Sequence, residues 1–165
     1  MTTAQGVSLR RATVLDAAIV APFHLHCWHE TYAGLVPPDF LDHLDRQDRV
    51  QRWHDRLLRY GDTTVLALDD DAVVGLASVG PSGDAAPLPP TELRSLYVTR
   101  SHQRTGLGRL LLTSALDDQA ASLWVFEGNA PARAFYENSG WRANGERRTD
   151  PGTRIPEIRL IRKAY

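Results

Sequence analysis

The stretch Gln103-Arg104-Thr105-Gly106-Leu107-Gly108 is where the chain's composition points most directly at a ligand. Its two glycines precede an amphipathic run with Leu107, Leu110, Leu111 and Ala115 on one face, so they fall in a turn that opens a helix. A helix start exposes unpaired N–H groups and a partial positive charge, and a glycine lets an anion approach without a Cβ in the way. The chemistry on offer is phosphate binding by backbone amides, to which Arg104 and Arg109 can add charge. Two better-known phosphate motifs do not match. No Gly-Lys-Ser/Thr follows the first glycine, and Leu111 stands where a dinucleotide fingerprint carries its third glycine. Two glycines alone serve equally well to shape a turn, so their surroundings decide.

A second group of reactive side chains, His24-Leu-His26-Cys27-Trp-His29-Glu30, invites a metal reading because His26 and Glu30 share a helical face. It lacks HExxH and paired Cys-x-x-Cys spacing, and the expectation is no metal. Cys27 is the one cysteine, which rules out an intrachain disulfide. Lys plus Arg number 19 against 20 for Asp plus Glu, leaving no basic field of the kind that attracts nucleic acid. No stretch approaches the ~20 apolar residues of a membrane span, and the first residues lack the apolar core of a signal peptide. A cytoplasmic protein without nucleic-acid or membrane partners is expected.

The elements that must hold these residues follow from hydrophobic period, which changes repeatedly between about 2 and about 3.6. Strands are expected at Val7 to Ala12, Thr64 to Leu68, Val73 to Val79, Glu92 to Val98, Ser122 to Phe126, Trp141 to Arg147 and Ile155 to Arg162. Thr13 can cap a helix beginning near Asp16, in which Pro22 predicts a kink or break before the chain resumes through His24 to Glu30. Further helices are expected over Arg49 to Tyr60, Leu107 to Asp118 and Pro131 to Ser139, the last opened by a first-turn proline and closed by Gly140. Asp69-Asp70-Asp71 reads as a hairpin turn, and Gly80 to Pro90 as a surface loop. With 165 residues and no repeat, one domain over 1–165 is expected, of mixed α/β (α+β) class.

Downstream of the turn comes Asn129-Ala-Pro-Ala-Arg-Ala-Phe-Tyr136-Glu-Asn-Ser-Gly-Trp141. Together with the strand 92–98, the glycine turn, the amphipathic helix and the strand 122–126, this resembles the GNAT superfamily of acyl-CoA-dependent N-acetyltransferases. Their turn reads Gln/Arg-x-x-Gly-x-Gly/Ala, followed by Asn-x-x-Ala-x-x-Phe-Tyr-x-x-x-Gly-Phe/Trp. The match is firm from Glu92 to Trp141. Before it, Trp28-x-x-x-Tyr32-x-Gly34-Leu35 with Pro37 is similar to the substrate-side helices of many members.

The resemblance implies a mostly antiparallel twisted sheet of about seven strands with a splayed parallel pair, flanked by about four helices. It implies acetyl-CoA as cosubstrate, with the pantetheine arm bonded to backbone of Leu96, Tyr97 and Val98. The pyrophosphate would rest on Gln103, Arg104, Thr105, Gly106, Leu107, Gly108 and Arg109. Asn129 and Arg133 would also lie on the cofactor side, Asn129 doubling as a helix N-cap. Glu92 matches the position of a base acting through water, and Tyr136 that of the tyrosine near the CoA sulfur. Trp28, Glu30 and Tyr32 would border the pocket for a small-molecule or peptide amine. The resemblance also admits a homodimer, a peptide N-terminal acetyltransferase, and a CoA-binding sensor that has lost the chemistry.

Overall fold

A computed structural model describes residues 3–4, 6–44 and 46–164. The described residues form the strands β1 (Thr3–Ala4), β2 (Val7–Arg11), β3 (Thr64–Asp69), β4 (Ala72–Pro81), β5 (Thr91–Val98), β6 (Ala121–Phe126), β7 (Arg142–Thr149) and β8 (Pro156–Arg162), all but β1 at segments expected to be strands. They form one sheet in the order β1-β2-β3-β4-β5-β6-β8-β7. Every neighbouring pair is antiparallel except β5 with β6, which run parallel. That pair meets in register only at Glu92 and Ser122. Beyond this point the strands part and leave a gap in the middle of the sheet.

Helices cover both faces. On one, α1 (Ala17–Tyr32) and α3 (Arg46–Tyr60) bury Val20, Phe23, Cys27, Trp53 and Leu57 against Leu66 and Leu76. On the other, α4 (Leu107–Leu116) buries Leu107 and Leu111 against Val65, Ala67, Val74 and Ala77. A short α2 (Pro38–Asp42) and α5 (Ala130–Glu137) complete the set. At α5 the expected asymmetry holds: Pro131 lies in the first turn and Gly140, at φ +86°, follows the last. Trp141, fully buried, seals α5 onto β6 and β8.

Three expectations are corrected. Pro22 does not break α1, which runs uninterrupted from Ala17 to Tyr32. Residues on both sides of it, Val20, Ala21, Phe23 and His24, are buried against the same layer, and that packing outweighs one missing backbone bond. The loop begins later than Gly80, because Gly80 and Pro81 pair with Glu92 and Thr91 at the end of β4. Pro81 is tolerated at a strand terminus, where its missing N–H costs least. Finally, β1 and α2 were not expected. They are two and five residues long, too short to display a period.

One irregularity decides which side of the sheet Glu92 faces. Ser78 pairs with Ser95 and Val79 with Leu93, so Arg94 has no opposite number and forms a β-bulge. Past the bulge, Leu96 and Val98 pack toward α4 while Tyr97 packs toward α1 and α3. Before it, Leu93 lies with Leu112 and Leu116 of α4. Glu92 is therefore on the same side as Tyr97. Strict alternation would have put it with Leu96 and Val98.

Candidate active site

The glycine turn sits where β5 gives way to α4. Gly106 is the N-cap of α4 at φ +90°, and Arg104 before it also has positive φ, +61°. Gln103 pins the turn by donating from Nε2 to the Val98 carbonyl at 3.1 Å, and the Thr105 hydroxyl donates to the His102 carbonyl at 2.7 Å. The first backbone bond of the new helix is Leu110 N–H to the Gly106 carbonyl. Ahead of it, the amides from Arg104 to Arg109 have no acceptor among the described residues. A Cβ on Gly106 would meet no atom within 4 Å, so the positive φ, not crowding, reserves this position for glycine. These amides open on a cavity of about 450 Å³ bounded by Leu96, Val98, Gln103, Arg104, Gly106, Gly108, Arg109, Ala132, Phe135 and Tyr136.

A second cavity, about 320 Å³, lies in the gap between β5 and β6. It shares Leu96, Val98, Ala132 and Tyr136 with the first, so the two adjoin along these residues. Its far wall is acidic and aromatic: Glu92, Glu157 and Asp150, with Trp28, Tyr32, Tyr97, Trp124 and Phe126. The Tyr32 and Tyr97 hydroxyls lie 3.1 Å apart. Arg148 and Arg159 both stack on Trp124, at 4.2 and 4.6 Å from its ring centre.

Burial tunes the titratable groups. The Glu92 carboxyl is pushed up by desolvation, against the pull of Arg94, Arg148 and Arg159. Glu157, only 8% exposed, is likewise raised by burial and restrained by the Arg148 guanidinium, which donates to it at 2.7 Å. Tyr136, at the junction of the cavities, is pushed up by burial and then by Tyr97, and is held as a neutral phenol.

The remaining residues picked from the sequence are spread more widely. Trp28 and Tyr32 of α1 line the second cavity. Tyr97 does too, on the face opposite to the one Leu96 and Val98 present to α4. Leu107 is buried beneath the turn at 2% exposure and offers only its backbone. Asn129 caps α5, accepting from the Ala132 amide at 3.3 Å, while bordering the second cavity. Arg133 donates to the Glu127 carbonyl at 3.0 Å and lines neither cavity. Glu30 is drawn away: its carboxylate faces His26 at 3.2 Å and accepts from the Arg100 amide at 3.2 Å. Arg148 and Trp124 were not selected as site residues. Arg148 and Glu157 face each other across β7 and β8, and only that register, invisible in the linear sequence, marks them as a pair.

Comparison with known proteins bears on this geometry. The sequence model of the Acetyltransferase (GNAT) family matches residues 26–141. The chain belongs to the GNAT family of acetyltransferases. It is 29% identical over 168 residues to the probable N-acetyltransferase Rv2775 of Mycobacterium tuberculosis, covering 96% of this chain and 95% of that protein. It is also 29% identical over 162 residues to the uncharacterized N-acetyltransferase YuaI of Bacillus subtilis, covering 93% and 91%. Among solved structures, the PaiA N-acetyltransferase of Thermoplasma acidophilum in complex with coenzyme A shares the fold, with a TM-score of 0.75 at 18% identity over 96% of this chain and 99% of that one. The GNAT match ends at Trp141, so it includes the turn and α5 but not β7, β8 and the segment joining them, which supply Arg148, Glu157 and Asp150 to the cavity wall.

Proposed function

We propose that the protein transfers an acetyl group from acetyl-CoA to a primary amine by direct attack, without a covalent enzyme intermediate. The observation that carries this is the pair of adjoining cavities that share Tyr136 in their walls: one walled by free helix-start amides, the other by carboxylates and aromatics. The residues fit the cosubstrate. Amides from Arg104 to Arg109, with the Arg104 and Arg109 guanidiniums, suit a pyrophosphate. Between Leu93 and Val98 the edge of β5 facing β6 is unpaired, which leaves backbone groups for the amides of a pantetheine arm. When bound, acetyl-CoA supplies an acetyl group activated as a thioester.

The protein's own work is proton management. An alkylamine with a pKa near ~10.4 is almost wholly protonated at neutral pH, so its lone pair must be uncovered. Glu92 takes that proton, directly or through one water, and the nitrogen then bonds to the acetyl carbon as the carbon–sulfur bond breaks. The Tyr136 hydroxyl donates a hydrogen bond to the sulfur that leaves with the electron pair. Outright proton donation would cost roughly 2 kcal/mol from ordinary phenol and thiol pKa values, and burial of Tyr136 widens the gap. Tyr136 therefore serves as a hydrogen-bond donor, and solvent completes the protonation.

The test joins binding to turnover. Acetyl-CoA at ~100 times its Kd is expected to stabilise the folded protein by about 2.7 kcal/mol, with NAD and ATP doing much less. Thiol release with a panel of small amines and short peptides is expected to rise above the rate without acceptor. Stabilisation without turnover across the panel would leave a CoA sensor, and no stabilisation would remove the reading altogether.

A further inference from the structure

A third concavity, about 520 Å³, lies on the α3 side of the sheet next to the amine site and is lined by Arg52, Asp55, Arg56, Arg59, Tyr60, Glu92 and Arg94. Glu92 is common to this groove and to the cavity between β5 and β6, so one carboxylate borders both. The groove's charge is lopsided: four guanidiniums against two carboxylates. Three of the arginines, at spacing i, i+4 and i+7, share one face of α3. The fourth, Arg94, is the bulge residue of β5, stacked on Tyr60 at 5.5 Å.

Local partners do not account for this cluster. Arg52 is paired with Asp48 at 2.8 Å along the helix. Among the side chains that the structure describes, Asp62 not being one of them, no carboxylate lies within ion-pair distance of Arg56, Arg59 or Arg94, and Arg94 donates to the Pro81 carbonyl. Arg56 is the telling case. Its guanidinium lies over the Trp53 ring at 4.7 Å, and its buried Nη2 has no hydrogen-bond partner. Burial, and secondarily Arg94, lowers its pKa to about 10, which still leaves it charged at neutral pH. A guanidinium desolvated without a counter-charge is costly, and such a group persists where a ligand supplies the missing oxyanion.

We infer that the acceptor is an amine carrying a carboxylate or phosphate group, held by Arg56 and Arg94 with its nitrogen directed to Glu92. This rests on the acetyltransferase reading for the role of Glu92, while the anion site itself stands on the arginine cluster. The groove selects zwitterionic amines over purely cationic ones. Arg94 and Arg56 neutralise the anionic end while Glu92 meets the ammonium, so both charges of the acceptor find an opposite in one groove.

The experiment measures binding apart from turnover. Matched amines are titrated calorimetrically into the protein saturated with CoA, which cannot react: 4-aminobutyrate beside its amide, and phosphoethanolamine beside ethanolamine. In wild type the anionic member of at least one pair is expected to bind about ten- to a hundred-fold more tightly, the scale of a charge-assisted hydrogen bond. The pair that shows the preference tells carboxylate from phosphate. Arg56→Gln and, separately, Arg94→Gln are expected to reduce the preference at least tenfold, each variant being shown folded by an undiminished CoA-induced rise in Tm. Equal affinity within both pairs in wild type, or a preference that survives both substitutions, overturns the inference. Turnover of the same amines with acetyl-CoA is scored independently. Preferential binding without turnover sinks the acetyltransferase reading and keeps the anion site, and turnover without preference does the reverse.

Discussion

The two ends of the site are built from different materials. The donor end is made mostly of backbone: helix-start amides and a bare strand edge, shaped by a turn of consecutive residues. The acceptor end is made of side chains brought together from α1, α3, β5, β6, β7 and β8 and from the β7–β8 connection. Backbone recognition depends on a local conformation and tolerates many side chains, as the solvent-facing Thr105 and Arg109 illustrate. Side-chain recognition depends on identities at distant positions. The donor end is therefore shared widely, and the acceptor end is where one such chain differs from another.

The contrast is broken most forcefully at the acceptor end. Glu92→Gln keeps size but cannot accept a proton, and is expected to lower kcat/KM by ~10²-fold or more near neutral pH. The loss should shrink as rising pH deprotonates the amine in solution. Because burial raises the Glu92 pKa, the acid limb of the wild-type profile should lie above the ordinary carboxylate range, and that limb should be missing in Glu92→Gln. Tyr136→Phe should act mainly on kcat, leave CoA affinity nearly intact and show no alkaline recovery. A Glu92→Gln profile parallel to wild type would move the base to Glu157.

At the donor end the expected effect is smaller and falls on binding. Gly106→Val forces a β-branched residue to φ +90°, and CoA affinity by calorimetry is expected to drop about tenfold as the turn relaxes. Unchanged affinity would mean that the turn is not the phosphate site.

What the sequence disclosed follows the same division. The glycine turn, the helix after it, Asn129 with Pro131, and Gly140 were legible because each is a local device whose chemistry and geometry sit within a few residues. Glu92 and Tyr136 stood out only through the resemblance, since nothing in their neighbours sets them apart from an exposed strand carboxylate and a packing aromatic. Arg148 and the Arg56–Arg94 cluster were illegible, because they depend on cross-strand register and on which face of α3 turns toward β5. Glu30 shows the opposite failure: its place between Trp28 and Tyr32 suggested the pocket, whereas the fold turns it toward Arg100.

The smallest effect sharpens the contrast through stability. The acceptor end depends on α1, whose entry is fixed by Asp16: it accepts from the Thr13 amide at 2.7 Å and holds Arg10 through a forked pair at 2.7 and 2.8 Å. The Arg10 hydrogen bonds hold the Asp16 carboxyl below the usual range. A lowered folded-state pKa means the stabilisation is complete above the unfolded value near ~3.9 and is lost as pH falls through the folded one. Asp16→Asn is expected to cost about 1 kcal/mol at pH 7 by denaturant unfolding, with the gap to wild type closing below pH ~4, and to leave CoA affinity unchanged. A gap that persists in acid would assign the loss to packing.

The bulge at Arg94 makes β5 a strand with two readerships. Leu96 and Val98 address the donor and Glu92, Arg94 and Tyr97 address the acceptor, interleaved along eight residues. Exchange of single letters can therefore rewrite the acceptor code while the donor code stays intact. Straightening the bulge at constant length does something else: it reverses the parity of everything before Arg94, sending Glu92 to the donor side and Leu93 to the acceptor side, whereas deleting Arg94 itself would leave both where they are. Lineages descended from such a chain can drift in spelling along β5 but are held to the match between its length and its bulge, and a change in acceptor should be sought in substitutions there.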